Sequence, residues 1–421
     1  MTGSRSFICY HEALVMAKAN FFKKLIGDSI LSIIGMILMT AAAQFLVYPN
    51  WEHSYGTEHY GNIIYMLSLM NVVCITFGSA VSYTRIITSA KHETKNAPYL
   101  RLMTVLSIIT LAYAVIVSLI NNTFMSYLDI SGFVILCVLT VWRSYSDVEY
   151  RIHLNYKGYF TYYVVIGIGY VIGMLVMPYA KTWTVALILG EIAGLSYVYF
   201  KGHILKKDSF DSAESSEMLK LFYVLVGSYF INTLIFNADR ILLKNAIGST
   251  AVSIFYVSSL LGKTLSLVTT PLNGVISGYI AKFKGKPSLR SVCLLILGAT
   301  IVAFAAAGVC TLGAYIILPV LYPTTFDSAR GSIFICSISQ TFFFSTNILS
   351  VIMLRFADKK YQLYSNIIYA IAFAAICIPL TVIGGMSGFY IGLVLTSLSR
   401  FIYNSVVIIF ACKNKEVHYE Q

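Results

Sequence analysis

Apolar residues fall along this chain in stretches of about 20, parted by short polar connections, without the two-residue alternation of half-buried strands. The stretches predict twelve helices. The first six cover about 28–48, 60–83, 100–120, 124–142, 160–178 and 182–200; the second six cover about 218–238, 250–278, 291–318, 331–353, 362–382 and 386–410. Each can cross a ~30 Å hydrocarbon layer, and outer-membrane barrel strands would be much shorter. The expected fold is an all-α polytopic membrane protein with twelve transmembrane helices in two six-helix lobes. The apolar run 291–322 is read as one long helix. Two spans would invert every later connection and put Arg355, Lys359 and Lys360 outside, and the polar turn Tyr322-Pro323-Thr324-Thr325-Phe326-Asp327 makes a clear exit.

The longest hydrophilic connection, 201–219, divides the chain into an N-terminal transmembrane lobe (1–200), a cytoplasmic linker (201–219) and a C-terminal lobe (220–421). A weak internal echo supports the division. Gly56-Thr57-Glu58-His59-Tyr60-Gly61 and Gly248-Ser249-Thr250-Ala251-Val252-Ser253 each precede an aromatic-containing apolar run. Two related halves suit a transporter, in which one lobe rocks against the other around a central site.

Composition narrows the class. Hydrophobic residues make up 58% and charged residues 11%, against about 25% charge in a soluble domain. A cytosolic enzyme, a secreted disulfide scaffold and a disordered chain are excluded. The 30 Lys+Arg against 18 Asp+Glu would suggest nucleic acid in a soluble protein. Here the basic residues are dispersed among the connections and record insertion orientation, so no nucleic-acid partner is expected. With the N-terminus cytoplasmic, the inside connections carry Lys23, Lys24, Lys91, Lys95, Arg151, Lys157, Lys201, Lys206, Lys207, Lys282, Lys284, Lys286, Lys359, Lys360, Lys413 and Lys415, and the outside ones Lys181, Arg240, Lys244 and Arg330. Both termini are therefore expected in the cytoplasm. The N-terminal segment lacks a continuous apolar core with a small-residue cleavage site, so no removable signal peptide is expected. Eight widely spaced cysteines and seven scattered histidines give neither a disulfide framework nor a metal site.

Polar residues inside the predicted spans supply the candidate chemistry. Ser259, Lys263, Ser266, Thr270 and Asn273 share one helix face, with Pro271 as a bend. An ammonium facing lipid costs ~2.5–3.5 kcal/mol or more, so Lys263 should face a cavity or pair with Glu191, read as the one mid-helix carboxylate. Ser337, Gln340, Phe344 and Asn347 form a second face; Gly392, Thr396, Arg400 and Tyr403 a third; Ser68, Asn71, Ser82 and Arg85 a fourth. Arg85 stands either at a cytoplasmic mouth or as an inside-flanking charge. Asp239-Arg240 is either an interfacial anchor or an outer gate, and Arg143, Asp147, Glu149 and Arg151 read as interfacial ion pairs.

The substrate-binding set expected from these faces is Lys263, Arg400, Arg85, Arg240, Asn71, Asn273, Gln340 and Asn347. Such a cationic set suits an anion, arginine suits phosphate through its planar donor fork, and the amides suit sugar hydroxyls. No nucleotide loop, selectivity filter, voltage-sensor ladder or catalytic constellation is present. The chain therefore reads as a non-enzyme, without a bound cofactor, driven by an ion, potential or substrate gradient. Glu191 and Asp28 are the candidate carriers of a coupling H+ or Na+.

The segment Asn237-Ala238-Asp239-Arg240-Ile241-Leu242-Leu243, followed by Ile247-Gly248, Ala251-Val252 and a helix through Pro271, resembles the polysaccharide-exporter family. That family comprises Wzx-type flippases within the multidrug/oligosaccharidyl-lipid/polysaccharide exporter superfamily. Tyr60-Gly61 and Leu321-Tyr322-Pro323 resembles further family turns, although the usual glycine after that aromatic is missing. The likeness covers essentially 20–410. It implies alternating-access transfer of an undecaprenyl-diphosphate-linked O-antigen or capsule repeat unit from the cytoplasmic to the periplasmic leaflet of a bacterial inner membrane. Lys263, Arg400 and Arg85 would then attract the diphosphate. The implied partners are the polyprenyl-diphosphate-linked glycan, membrane lipids and polysaccharide (lipopolysaccharide) assembly proteins. A cation-coupled multidrug exporter of the same superfamily is the alternative; a membrane-embedded glycan ligase or polymerase would need a large outside loop.

Overall fold

The computed structural model describes residues 31, 33–206, 208, 212–265, 269, 288–358 and 360–413. Among them every regular element is helical. In chain order a π-helical turn, Ala42–Val47, leads into α1 (Tyr48–Ser89), α2 (Asn96–Ile120), α3 (Tyr127–Ser146), α4 (Val148–Ile152), α5 (Tyr156–Ala180) and α6 (Val185–Lys201). Then come α7 (Ser212–Ala246), α8 (Ser249–Thr264), α9 (Leu289–Leu321), α10 (Pro323–Ala329), α11 (Ile333–Phe356), α12 (Lys360–Ala372) and α13 (Ile378–Lys413). Eight continuous helical stretches among the described residues are long and apolar enough to cross a membrane. The protein is an all-α, multi-pass membrane fold.

The expected spans and the observed helices agree closely at α2, α5 and α6. The run from 291 forms one helix, α9, with Pro319 in its last turn. Two boundaries differ. The predicted outer connection at 49–59 is helical on both sides of a single reversal at Gly56, whose φ of 77° and ψ of 169° a side chain would strain. Pro49, in the first turn of α1, has no N–H to leave unpaired there. The linker expected over 201–219 is helical from Ser212 onward, because its Glu, Ser, Met and Leu residues carry no helix breaker. The turn expected at 383–385 occurs at Gly385, φ 57°.

Contacts group the chain into two compact units. One contains the described residues through Val47 together with Val73–Phe230; the other contains Tyr48–Val72 and the residues from Ile231 onward. Of the three exchange points, one falls where the π-helical turn meets α1 and the other two fall within α1 and α7.

The first unit is built on small residues. A Cβ on Gly169 would stand 2.5 Å from the Gly190 Cα, and one on Gly173 2.6 Å from the Ala186 carbonyl, so α5 and α6 pack almost backbone to backbone. Small residues permit this where lipid gives helices no hydrophobic reason to associate. At the start of α3, Ser126 and Asp129 form a reciprocal capping box, and Thr182 donates to the second Asp129 oxygen at 2.7 Å. Asp208 accepts from the Asn96 and Ala97 N–H groups at 2.6 and 2.8 Å, satisfying donors that begin α2. Glu149 accepts from the Ile204 N–H at 3.0 Å. The chain leaving α6 is thus tied to its own unit.

The second unit gathers α9, α11 and α13 around Val292, Ala303, Phe342, Leu349, Ile352, Phe401 and Ile408. The outward face of α9 is broadly exposed, with Leu294, Leu297, Ile301, Val309, Leu312, Ile316 and Val320 all uncovered. The two glycine-led segments of the sequence echo meet in this unit. Ser253 donates to the Thr57 carbonyl at 2.5 Å, Gly61 presses on the Ser249 backbone, and Gly248, like Gly56, has positive φ.

Substitution separates tight from open glycines. Gly190→Ala places a methyl on the Tyr170 ring and 2.7 Å from the Ile166 carbonyl, and should destabilise by about 1–3 kcal/mol. Gly308→Ala on α9 meets nothing within 4 Å and should be neutral or stabilise by about 1 kcal/mol. Thermal midpoints of the two variants in detergent should move in opposite directions or differ clearly; equal midpoints would refute the packing described for α5 and α6.

Candidate functional site

In the second unit, α7 and α8 bring an acid and two bases together inside the span. Lys263 Nζ lies 2.5 Å from Asp239 Oδ2, both groups buried. The other Asp239 oxygen accepts the Arg240 backbone N–H at 2.8 Å. The Arg240 guanidinium reaches Asn237 Oδ1 at 3.2 Å and Ser68 at 3.4 Å and lies over the Tyr256 ring, while its Nε has no acceptor. Lys263 also stands 4.8 Å from the Phe255 ring centroid, an arrangement that favours a cation.

Beside the pair is a cavity of about 20 Å³, enough for one water. Its wall includes Asp239, Lys263, Gln340, Phe343, Tyr369 and Ser397. Arg400 sits behind that wall, 5.1 Å over the Phe343 ring and 5.9 Å over the Tyr369 ring. It donates to Ser365 at 3.2 Å and to Asn366 Oδ1 at 2.9 Å, and among the described residues no carboxylate lies within salt-bridge range of it. Lys263 thus pairs with Asp239 across the cavity wall, while the Arg240 guanidinium, from the residue next to Asp239, and Arg400, behind Phe343 and Tyr369, are met among the described residues by neutral groups. Such an arrangement can exchange its internal acid for a doubly charged anion.

Sequence periodicity places Lys263, Arg400 and Gln340 on inward faces, and Arg240 reads as an anchor or outer gate; Lys263 and Gln340 line the cavity, Arg240 follows Asp239 in the chain, and Arg400 packs on Phe343 and Tyr369 of its wall. Asn71 and Asn347 are half-buried and do not line the cavity. Asn273, Asp28, Ser266, Thr270 and Pro271 lie outside the described residues.

Arg85 belongs to the first unit. Its guanidinium is held by the Tyr145 hydroxyl and Asn96 Oδ1, each at 2.5 Å, and lies over Tyr99. Asn96 donates onward to the His203 and Lys206 carbonyls. Arg85 thus helps hold the segment after α6.

Two pairings differ from expectation. Glu191 pairs not with Lys263 but with Arg143, whose Nε lies 2.8 Å from Oε2, and it accepts the Tyr170 hydroxyl at 2.9 Å. Arg143, half-buried, is accordingly the ion partner of the buried Glu191. Glu191 is also not the one carboxylate within the helices: Asp239 lies seven residues before the end of α7, and Glu52 is fully buried in α1. Periodicity identifies a face but not the helix that answers it, so the 24-residue separation of Asp239 and Lys263 gave no signal.

No protein-family model and no curated protein matches the sequence. Solved structures do match. A multidrug resistance MATE family transporter of the MOP superfamily, in an inward-facing conformation, superimposes with a TM-score of 0.65 at 13% identity, over 92% of this chain and 100% of that one. The lipid II flippase MurJ, in an inward closed conformation, gives 0.60 at 13% identity, over 92% and 88%. A MATE protein in a bent conformation gives 0.59 at 13% identity, over 92% and 95%. The chain shares the fold of these solved structures.

The Arg143–Glu191 pair allows a test of the electrostatics. Glu191→Ala leaves the Arg143 guanidinium without its partner and should cost about 3–5 kcal/mol, whereas the double change Arg143→Met/Glu191→Leu should recover much of that loss. Denaturation in detergent measures both. A double variant no more stable than Glu191→Ala would contradict the pairing.

Proposed function

We propose that the protein is a flippase that moves a polyprenyl-diphosphate-linked oligosaccharide between membrane leaflets by alternating access. The observation that carries this reading is the excess of buried cations in the second unit: Lys263 pairs with Asp239, while the Arg240 and Arg400 guanidiniums have neutral hydrogen-bond partners among the described residues. The three cations outnumber that one acid, and burying uncompensated positive charge in a span is costly unless an anion arrives to meet it. A diphosphate supplies that charge and matches the donor fork of arginine.

The water-sized cavity is too small for such a headgroup, so this conformation is closed around the Lys263–Asp239 pair. Phosphate oxygens replace Asp239 at Lys263 as the cavity widens, Gln340 and Ser397 offer hydrogen bonds to the first sugar, and the polyprenyl tail stays in lipid. Rocking of an N-terminal lobe (1–200) against a C-terminal lobe (220–421) moves the headgroup across without a covalent intermediate. The resemblance of the Asp239-Arg240 segment to Wzx-type flippases supports an O-antigen or capsule repeat unit as cargo. It likewise supports a bacterial inner membrane with cytoplasmic termini, assembly proteins as partners, and H+ or Na+ as a coupling ion.

A second reading has its own observation. Phe236, Phe343, Tyr369 and Phe373 surround Asp239 at the cavity, a setting that also suits a cationic, aromatic drug. On that reading the site would serve multidrug export, the activity named for the MATE neighbours.

Proteoliposomes decide between them. Wild-type protein should carry a labelled polyprenyl-diphosphate oligosaccharide across the bilayer, and Lys263→Ala should lower the rate at least about tenfold, the equivalent of ~1.4 kcal/mol, with folding intact. Transport of a cationic dye without glycolipid crossing would replace the flippase with a drug exporter. Glycolipid crossing at an unchanged rate in Lys263→Ala would remove the cationic cluster from the mechanism.

A further inference from the structure

Glu52, in the first turn and a half of α1, is completely buried. Its Oε1 atom accepts hydrogen bonds from two adjacent hydroxyls on α10, Thr324 and Thr325, the latter at 2.6 Å. Thr57, just beyond the Gly56 reversal, completes the group, with its hydroxyl 3.0 Å from Thr325 Oγ1 and 3.4 Å from Thr324 Oγ1. The second carboxylate oxygen, Oε2, is buried and accepts no hydrogen bond among the described residues. Its nearest basic atom is Nε2 of the half-exposed His53, at 3.9 Å, and among the described residues no lysine or arginine nitrogen lies within 4.0 Å.

A carboxylate hidden beside Trp51, Tyr60 and Tyr322 therefore has hydrogen bonds on one side and an unanswered charge on the other. Removing a charge from water costs several kcal/mol unless another charge meets it. The carboxylate and the three threonine hydroxyls are hard oxygen donors, the kind that alkali and alkaline-earth ions prefer. A divalent ion would leave a net positive charge inside the span, and calcium takes six to eight oxygens, commonly from several carboxylates. One carboxylate with three neutral hydroxyls balances a single positive charge.

We propose that Glu52, Thr57, Thr324 and Thr325 form a binding site for one monovalent metal cation of the size of sodium. The ion sits against Oε2 and takes the threonine oxygens as further ligands, with Thr324 and Thr325 still donating their protons to Oε1. Its effect is to bind the start of α1 to the α9–α10 turn, segments more than 260 residues apart in sequence. The site uses none of the groups around Lys263 and does not depend on which substrate the protein carries.

The full chain, purified in detergent, tests this through its thermal midpoint in sodium, potassium or N-methylglucamine chloride at constant ionic strength and pH. Sodium should raise the wild-type midpoint saturably above the other two. Glu52→Gln should abolish that increment, and Thr325→Val should raise the half-saturating sodium concentration at least about tenfold. Equal midpoints in the three salts would overturn the proposal, as would an undiminished sodium response in Glu52→Gln. Should Glu52→Gln fail to fold, Thr325→Val and Thr57→Val decide alone, and a wild-type sodium response in both would overturn the site. A midpoint that responds to pH but not to sodium would also overturn it, and would assign the carboxyl a proton instead.

Discussion

Hydrocarbon offers no water to a charge or a peptide group, so every polar atom within the span must find its partner in the protein. This constraint orders the structure at each buried ion. Arg143 has Glu191, with Tyr170 on the acid; Arg85 is held by the neutral groups of Tyr145 and Asn96; Lys263 has Asp239, and the Arg240 guanidinium has Asn237 and Ser68. Where compensation is complete, as at Arg143–Glu191, the pair fixes helix packing and leaves little for a ligand to do. Where it is incomplete the residual sign points to what is missing. Around Asp239 the residue is positive, and at Glu52 it is negative.

These two imbalances lie in the same compact unit yet differ in kind. The cations of the first are held by aromatic faces and amides, soft partners that a phosphate can displace. The acid of the second is held by hydroxyls that already point at it, a rigid arrangement better suited to a small ion than to an extended headgroup.

Much of the fold was legible because a span is written in bulk hydropathy, which survives errors of several residues. α2, α5, α6 and the undivided α9 could be read in this way, and so could the Gly385 reversal. The connection at 49–59 misled because its polar residues, among them Glu52 and Thr57, read as solvent-facing. They are polar because they meet the polar turn after Tyr322, a contact far away in sequence. The candidate site was legible as a set of faces and illegible as a set of pairs. The periodicity turns Lys263 away from lipid but offers Glu191 as its partner, because the hydropathy run puts Asp239 at the outer end of its helix; in the structure Lys263 is buried against Asp239. α7 continues to Ala246, which carries Asp239 inside.

The exposed side of α9 has a consequence for how closely sequence and shape are tied. Leu294, Ile301, Leu312 and Ile316 each expose more than half of their surface, so little in the described protein distinguishes leucine there from isoleucine, valine or phenylalanine. Such positions require oiliness and hardly an identity. A fold with many such faces can be written in very different sequences, and 13% identity is compatible with a superposition covering 92% of this chain.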